Sequence, residues 1–258
     1  MSKLDNIIDG ASNQFASAIE RVQLALVNQV LDLKNQGYTK GEIIRVLDGI
    51  DIESFILNDL NLSGDIEKLS GVYTKVLENL NGFGAVTEES LQALVNIDKS
   101  YFLGESKNLA NTLKQQLARG VIAGATENEL KQGILEGFGG VLRSDQAKTL
   151  ANTSLNSYSR QVTELMAESM PEDTKYYYQG VVDERTRDIC LDMVGAGEMT
   201  KAEIDSAYPS TFTDGGGFNC RHRWTMVTSQ VKLDDKKAKK FIDKKPSFNP
   251  VTARGVQV

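Results

Sequence analysis

The chain has 258 residues, of which 40% are hydrophobic and 25% are charged, and its formal net charge is −6. These values are ordinary for a soluble globular protein that can bury a core. No apolar run approaches the roughly 20 residues of a bilayer-spanning helix, so we predict no membrane-spanning segment. Two cysteines are too few for a disulfide scaffold. The first residues contain acids and no apolar h-region, so we expect no secretory signal and a reducing compartment.

The first 170 residues have the periodicity of amphipathic helices. Apolar residues recur at three- and four-residue steps from Phe15 to Leu33, which places them on one helical face. Gly37 is predicted to end this helix, because glycine adopts the left-handed conformation of a C-cap easily. The starts of later helices are predicted at Thr87 and at three capping boxes with threonine followed by glutamate three residues on: 39–42, 126–129 and 200–203.

The pattern changes after Pro171. Residues 175–182 (KYYYQGVV) are aromatic and β-branched without a helical period, which predicts a strand. A helix is predicted over 183–195, with Asp183 at or near its N-cap, and a second strand from Cys220 onward. The predicted fold class is therefore mostly α: an N-terminal helical region followed by a small α+β C-terminal module and a basic tail.

Residues 215–224 (GGGFNCRHRW) contain one of the two cysteines and the only histidine. Alternate residues of a strand share a face, so Cys220 and His222 are predicted to project together. A metal ion, zinc above all, could bridge them with Cys190 as a third ligand. The fourth ligand would be a nearby carboxylate, from Asp183, Asp188, Asp192 or Asp214.

Two other interpretations of this cysteine and histidine pair remain open. The spacing lacks the C-x2-C pairs that identify many zinc modules. A cysteine activated by the imidazole could act as a nucleophile, although no oxyanion-loop sequence surrounds it. Alternatively, both cysteines and the histidine are ordinary buried residues of a small core. A further expectation concerns the arginines near Asp183, one of which could bind a carboxylate and so hold the helix start to the loop after Pro209.

The basic tail begins at residue 232. Residues 232–258 contain seven lysines and one arginine against three aspartates, a net charge of +5, so the rest of the chain is acidic. Such a segment can contact a polyanion or an acidic protein surface, or can act only as a solvated tail. The residues predicted to contact DNA are those of the densest group: Lys236, Lys237, Lys239 and Lys240.

Two blocks of this sequence, YYYQGVVDERTRDIC and GGGFNCRHRW, resemble the C-terminal domain of the phage head-morphogenesis family, the MuF-like minor head proteins. The resemblance extends over residues 105–228 and includes the helical approach to the first block. The matching positions are Asp183, Arg185, Thr186 and Cys190 in the first block, and Asn219, Cys220, Arg221 and Trp224 in the second. We treat Asp183, Arg185, Thr186, Arg221 and Trp224 as the structural motif.

The chain departs from the family pattern at several positions. Gly217 and Phe218 stand where the family often has His-Pro, and His222 replaces the second cysteine of Cys-Arg-Cys. Ser154 stands where relatives tend to carry glutamate, so no role of that glutamate can be transferred. One metal-competent side chain is lost and another is exchanged, which leaves the zinc hypothesis open.

The resemblance implies a low-copy minor head protein of a tailed phage, made in the host cytoplasm and incorporated into the capsid. We therefore expect a structural, non-enzymatic virion protein whose partners are the portal and other capsid proteins. Double-stranded DNA is a further expected partner, through the tail. The predicted division is an N-terminal helical region at 1–100, the MuF-like module at 101–231, and the Lys-rich tail at 232–258.

An alternative function is a small metal-dependent hydrolase or nuclease that acts on nucleic acid. The sequence disfavours this alternative, because it has one histidine, no HExxH motif and no carboxylate cluster on one helix. Zinc is the only cofactor that the residue pattern suggests.

Overall fold

A computed structural model describes residues 3–80 and 86–227 of the chain. The four lysines predicted to bind DNA lie outside the described residues, as does the whole segment 232–258. Within the described residues the fold is mostly α-helical, with a small three-stranded antiparallel sheet in the C-terminal region, as predicted. No helix in these two stretches is both long enough and apolar enough to cross a membrane.

Helices make up most of the described residues before the first strand. In order they are α1 (Lys3–Asn35), α2 (Lys40–Gly49), α3 (Ile52–Ser54), α4 (Leu62–Asn79), α5 (Glu88–Ala123), α6 (Glu127–Leu135) and α7 (Ser144–Ala167). A π-helical turn at Phe55–Asp59 continues α3, and a 3-10 turn at Phe138–Gly140 follows α6.

The predicted helix boundaries of this region are confirmed. Gly37, with a φ of 88°, follows the end of α1. The Thr39 and Thr126 side chains each accept the backbone N–H of the glutamate three residues on, and that glutamate accepts the threonine N–H in return. At the start of α5, the Thr87 hydroxyl accepts the Ser90 N–H. These bonds satisfy N–H groups that a first helical turn leaves without partners.

The described residues divide into two compact units. One, the helical unit, consists of residues 9–72 and 93–152. Its core is built from the apolar faces of its helices, and the Phe15 and Phe102 rings meet edge to face with centroids 5.1 Å apart. The buried Gln23 side chain donates to the Leu142 carbonyl at 2.6 Å, which satisfies a polar group inside this core.

The other unit, the sheet unit, contains residues 3–8, 73–80, 86–92 and 153–227. Its elements after α7 are β1 (Lys175–Gln179), α8 (Asp188–Gly195), β2 (Glu198–Thr200), α9 (Lys201–Ala207), α10 (Thr211–Asp214) and β3 (Arg223–Met226). The strand order is β2-β1-β3, and both pairings are antiparallel. Tyr178 lies opposite Trp224 in the register.

The core of the sheet unit is aromatic and contains both cysteines. Its buried members are Tyr176, Tyr178, Cys190, Met193, Ile204, Tyr208, Phe212, Cys220 and Trp224. A buried ion pair also belongs to this unit, in which Arg223 of β3 donates to Asp5 of α1 at 3.1 Å. Because both units are assembled from separate stretches of chain, the proposed division at residues 100 and 231 stays a prediction about sequence modules.

Two local predictions in the sheet unit are wrong in detail, and two short elements were not predicted. Helix α8 begins at Asp188, not at Asp183, although it ends at Gly195 as expected. The strand predicted over 175–182 stops at Gln179. Strand β2 and helix α10, of three and four residues, were not predicted, because elements this short carry too few residues to show a period.

Candidate metal centre

Three buried side chains converge in the sheet unit. Cys190 lies on α8, and Cys220 and His222 lie in the segment that enters β3; their exposed fractions are 2%, 3% and 3%. The two Sγ atoms are 3.7 Å apart, and the Cys220 Sγ is 3.9 Å from the His222 Nδ1. One ligand atom of each residue lies within 4.8 Å of the others, and we call these three residues the converging group. The predicted proximity of the three residues is confirmed, and metal binding stays a prediction.

The cysteine and the histidine are not strand residues, which corrects the prediction of a strand from Cys220 onward. Strand β3 begins at Arg223. The Cys220 and His222 carbonyls accept hydrogen bonds from the Arg160 guanidinium, at 3.0 and 3.4 Å. Asn219, with a φ of 55°, turns the chain just before them. The arginine thus donates to backbone carbonyls that, in a β-strand, would accept hydrogen bonds from a neighbouring strand.

Arg160, on α7, is the residue of this site that the sequence analysis missed. It is 2% exposed, and its Nε donates to the Thr213 carbonyl at 2.7 Å. Its Nη2 donates to the Ser157 hydroxyl at 3.0 Å. Burial lowers the pKa of the guanidinium, with the nearby Cys220 charge acting in the opposite direction. Asn156, Ser159 and Thr163 of α7 are buried with it, so the buried face of this helix is partly polar.

Glycines allow the backbone to pack directly against the converging group. A Cβ on Gly216 would overlap the Cys190 Sγ and lie 3.5 Å from the Cys220 Sγ. A Cβ on Gly180 would lie 2.7 Å from the His222 ring. Gly215 has a φ of 59°, and a Cβ there would lie 3.1 Å from the Cys220 Sγ. The glycines of the loop are therefore required by the close approach of backbone to sulfur.

The surroundings of the two thiols favour one thiolate, on Cys220. Its Sγ accepts the His222 N–H at 3.4 Å and lies 3.5 Å from the Tyr178 hydroxyl. Hydrogen bonding from Cys190 first, then from His222, Tyr178 and the Gly216 N–H, lowers the pKa of the Cys220 thiol against the effect of burial. The bond to Cys220, followed by burial, raises the pKa of the Cys190 thiol. A thiolate is the form of cysteine that binds a metal ion.

The imidazole of His222 is held on one side only. Its ring stacks on Tyr178, with centroids 5.6 Å apart and planes 10° from parallel. Its Nε2 is buried and has no hydrogen-bond partner among the described residues. An unsatisfied buried nitrogen costs about 1–3 kcal/mol, so this atom marks a place where a further ligand would stabilise the fold.

The four aspartates predicted as a fourth ligand lie outside the converging group. Both carboxylate oxygens of Asp183 accept from the Arg221 guanidinium at 2.8 Å. Asp192 accepts the Tyr208 hydroxyl at 2.8 Å.

The structural motif residues form bonds within the sheet unit. Asp183 accepts the Arg185 N–H at 3.0 Å, and its own N–H donates to the Thr186 hydroxyl at 2.8 Å. Burial raises the pKa of the Asp183 carboxyl, but the hydrogen bonds and charge of Arg221 outweigh it, so the net pKa is lowered. Asp183 therefore organises a turn and binds Arg221, where the sequence suggested a helix cap. The Trp224 indole N–H donates to the Thr211 hydroxyl at 3.2 Å.

An arginine does hold the start of α8 to the loop after Pro209, as expected. Arg187, the residue before α8, donates to the Gly216 carbonyl at 3.0 Å and to the Phe218 carbonyl at 2.5 Å. The acceptors are carbonyl oxygens and not the predicted carboxylate. The Arg185 side chain, by contrast, is 82% exposed and lies 3.6 Å from Asp183.

This geometry can hold an ion or tie secondary-structure elements together, and it is poorly suited to nucleophilic catalysis. An imidazole does lie beside a sulfur, as a nucleophile with its base requires. Both side chains are buried, however, so a macromolecular substrate has no path to the sulfur in this conformation.

Comparison with known protein families gives one finding for this region. Residues 111–225 match the family described as Phage Mu protein F like protein. The match spans somewhat less than half of the chain and contains both motif blocks and all three residues of the converging group. No curated protein and no solved structure matches the chain significantly. The match confirms the resemblance seen in the sequence: residues 111–225 are similar to the Phage Mu protein F like family.

Proposed function

We propose that the protein is a minor head protein of a tailed phage, with a structural role in head morphogenesis. The family match over residues 111–225 is the observation that carries this proposal. The expected location is the capsid of the virion, with other capsid proteins as partners.

The contacts of the motif residues support a structural role for the matched segment. Asp183 and Arg221 bind each other, Thr186 completes the turn, and Trp224 is buried against Tyr178 with ring centroids 5.0 Å apart. The polar groups of these side chains form hydrogen bonds within the sheet unit, that of Trp224 with Thr211. A motif that specified catalysis would instead present polar groups towards a cleft where a substrate could bind.

We further propose that the protein associates with the portal. This proposal rests on what the family resemblance implies for low-copy head proteins. A portal that carries an affinity tag, expressed with this chain, should retain it, whereas the major capsid protein alone should not. Retention by neither would contradict portal association and leave a head role to be tested genetically.

The genetic test uses a phage that lacks this gene and complements it from a plasmid. The wild-type chain should restore infectious particles, and the Asp183→Ala variant, which loses the Arg221 pair, should restore fewer. The matched control is Asp9→Asn, which removes a carboxylate from an exposed ion pair in the helical unit. Full infectivity without any complementation would contradict the proposed function.

The basic tail is proposed to contact packaged DNA through phosphate groups. Lysine–phosphate contacts release counterions, so binding should weaken steeply with salt and vary little with DNA sequence. Replacing Lys236, Lys237, Lys239 and Lys240 by glutamine should reduce DNA retention at low salt as deletion of 232–258 does. If the full chain and both variants bind DNA equally, the tail has no such role.

A metal-dependent nuclease is the second candidate function, because a group of two cysteines and a histidine is present. Burial of all three side chains argues against it, since a catalytic ion needs a position open to the substrate. The purified chain with added Zn²⁺, Mn²⁺ or Mg²⁺ should not cleave DNA or RNA. Cleavage that disappears in a His222→Gln variant would establish the enzyme instead.

A further inference from the structure

We propose that Cys190, Cys220 and His222 bind one zinc ion, which fastens α8 to the segment that enters β3. This inference does not depend on the proposed function, because it follows from the arrangement of side chains in the sheet unit alone.

The distances fit zinc without rearrangement of the backbone. Tetrahedral zinc binds sulfur at about 2.3 Å and nitrogen at about 2.0–2.1 Å, which separates two sulfur ligands by about 3.8 Å and a sulfur from a nitrogen by about 3.5 Å. The observed separations are 3.7 Å between the two Sγ atoms and 3.9 Å between the Cys220 Sγ and the His222 Nδ1. The third pair of ligand atoms, on Cys190 and His222, lies within 4.8 Å, so side-chain rotations would place all three around one ion.

The type of donor selects the metal. Two thiolates and one imidazole form a soft site, which favours zinc and disfavours magnesium and calcium, since these ions prefer oxygen ligands. The backbone N–H of His222 also donates to the Cys220 sulfur, at 3.4 Å, as is common for a metal-bound thiolate.

The His222 imidazole offers its Nδ1 to the ion, because this nitrogen is the ring atom that lies 3.9 Å from the Cys220 sulfur. An ion bound by the imidazole would fix the ring and its tautomer against the stacked Tyr178 ring. The backbone at Gly216 meanwhile closes over the two sulfurs, so the site is enclosed by the fold.

Zinc takes a fourth ligand, and among the described His, Cys, Asp and Glu residues only the three of the converging group share the site. Arg221 occupies both oxygens of Asp183, and Asp192 accepts the Tyr208 hydroxyl. Because the three protein ligands are almost wholly buried, we assign the ion a structural role. The ion would link Cys190 and Cys220, which are 30 positions apart in the sequence. Units with a small core commonly need such a metal site or a disulfide for stability.

The test uses the full chain, stripped of metal with a chelator under reducing conditions and then given Zn²⁺ or Co²⁺ alone. We expect one zinc per chain, an increase in melting temperature of several degrees, and, with Co²⁺, the near-ultraviolet absorption of cobalt–thiolate bonds. Zinc should also protect both cysteines from alkylation, as measured by mass spectrometry.

Variants identify the ligands. Cys190→Ser, Cys220→Ser and His222→Gln should each weaken zinc binding at least tenfold, while the control Met193→Leu, at a buried neighbour on α8, should bind as the wild type does. If a ligand variant fails to fold, the cobalt spectrum and the zinc stoichiometry of the wild-type chain still decide. A wild-type chain that binds no zinc, or ligand variants that bind it as tightly as the wild type, would overturn the proposal.

Discussion

The kinds of contact that stabilise the interior of the helical unit differ from those that stabilise the interior of the sheet unit. In the helical unit, apolar helix faces form the core, and an ion pair such as Lys148–Asp9 is exposed, with side-chain exposures of 39% and 44%. In the sheet unit, two arginines are buried, and cysteines and a histidine share the core with aromatic rings. Stability in the first unit is thus distributed over many similar contacts, whereas in the second it depends on a few residues with specific partners.

The chain provides a separate spectroscopic probe for the sheet unit. Trp224 is the only tryptophan and is 1% exposed in the core of that unit. Its fluorescence during urea denaturation should therefore report the unfolding of the sheet unit. Circular dichroism, which follows the helices, reports mainly on the rest of the described chain.

The largest expected effect is that of the buried ion pair. Asp5→Asn leaves Arg223 as a buried charge without its carboxylate, and breaking such a pair costs about 3–5 kcal/mol. The control Asp9→Asn breaks the exposed pair in the helical unit and should cost less than about 1 kcal/mol. Urea denaturation measures the free energy of unfolding, followed by tryptophan fluorescence for Asp5→Asn and by circular dichroism for Asp9→Asn. Equal effects would show that the two units do not differ in this way.

The next effect concerns Arg160. In an Arg160→Lys variant, one ammonium group replaces a guanidinium that donates hydrogen bonds to the Thr213, Cys220 and His222 carbonyls. Leaving buried carbonyls without donors should lower the free energy of unfolding by about 2–3 kcal/mol. Arg119→Lys, at an exposed position of α5, should change it by less than about 0.5 kcal/mol. A tolerated Arg160→Lys substitution would contradict the role given to the guanidinium.

Two glycines should respond to alanine with opposite signs. At Gly216 a Cβ would overlap the Cys190 sulfur, and overpacking of this kind costs about 1–3 kcal/mol. At Gly71, an exposed position inside α4 with open space around it, alanine should stabilise the helix by up to about 1 kcal/mol. Urea denaturation followed by fluorescence for the first variant and by circular dichroism for the second tests this. Stabilisation by Gly216→Ala would be incompatible with the observed packing.

The smallest expected effect depends on pH. Asp183 has a lowered pKa in the folded state, so its pair with Arg221 stabilises the fold above the unfolded pKa of about 3.9 and loses this contribution as the pH falls through the folded value. Asp183→Asn should therefore cost about 1–2 kcal/mol at neutral pH. The difference from the wild type should shrink as the pH falls below the unfolded pKa and through the folded value. A difference that does not vary with pH would exclude the ion pair as its cause.

The same contrast explains how much of the fold could be predicted. Helix starts at Thr39 and Thr126 were predicted correctly, because a capping box lies within four residues of sequence. The turn at Asp183 was misassigned, because an aspartate before a helix usually caps it, and its actual partner Arg221 lies 38 residues away. Local signals thus describe the helices well and the sheet unit less well.

The candidate site was predicted in part for a similar reason. Cys190, Cys220 and His222 are rare residue types in this chain, so the sequence alone singled them out. Arg160 is one of many charged residues, and its acceptors lie 53 to 62 positions further along the chain. The sequence of its own helix does not show that the carbonyls before β3 will accept hydrogen bonds from this guanidinium and not from a neighbouring strand. Such a role is visible only once the fold has brought the residues together.

The central claim is that this chain is a structural component of a phage head. Quantitative mass spectrometry of purified DNA-filled virions and of empty heads tests it most directly, with the portal protein as an internal standard. We predict that peptides from this chain are present in the particles at a low copy number, comparable to or below that of the portal. Absence of the chain from both kinds of particle, although it is present in the infected cell lysate, would contradict the claim.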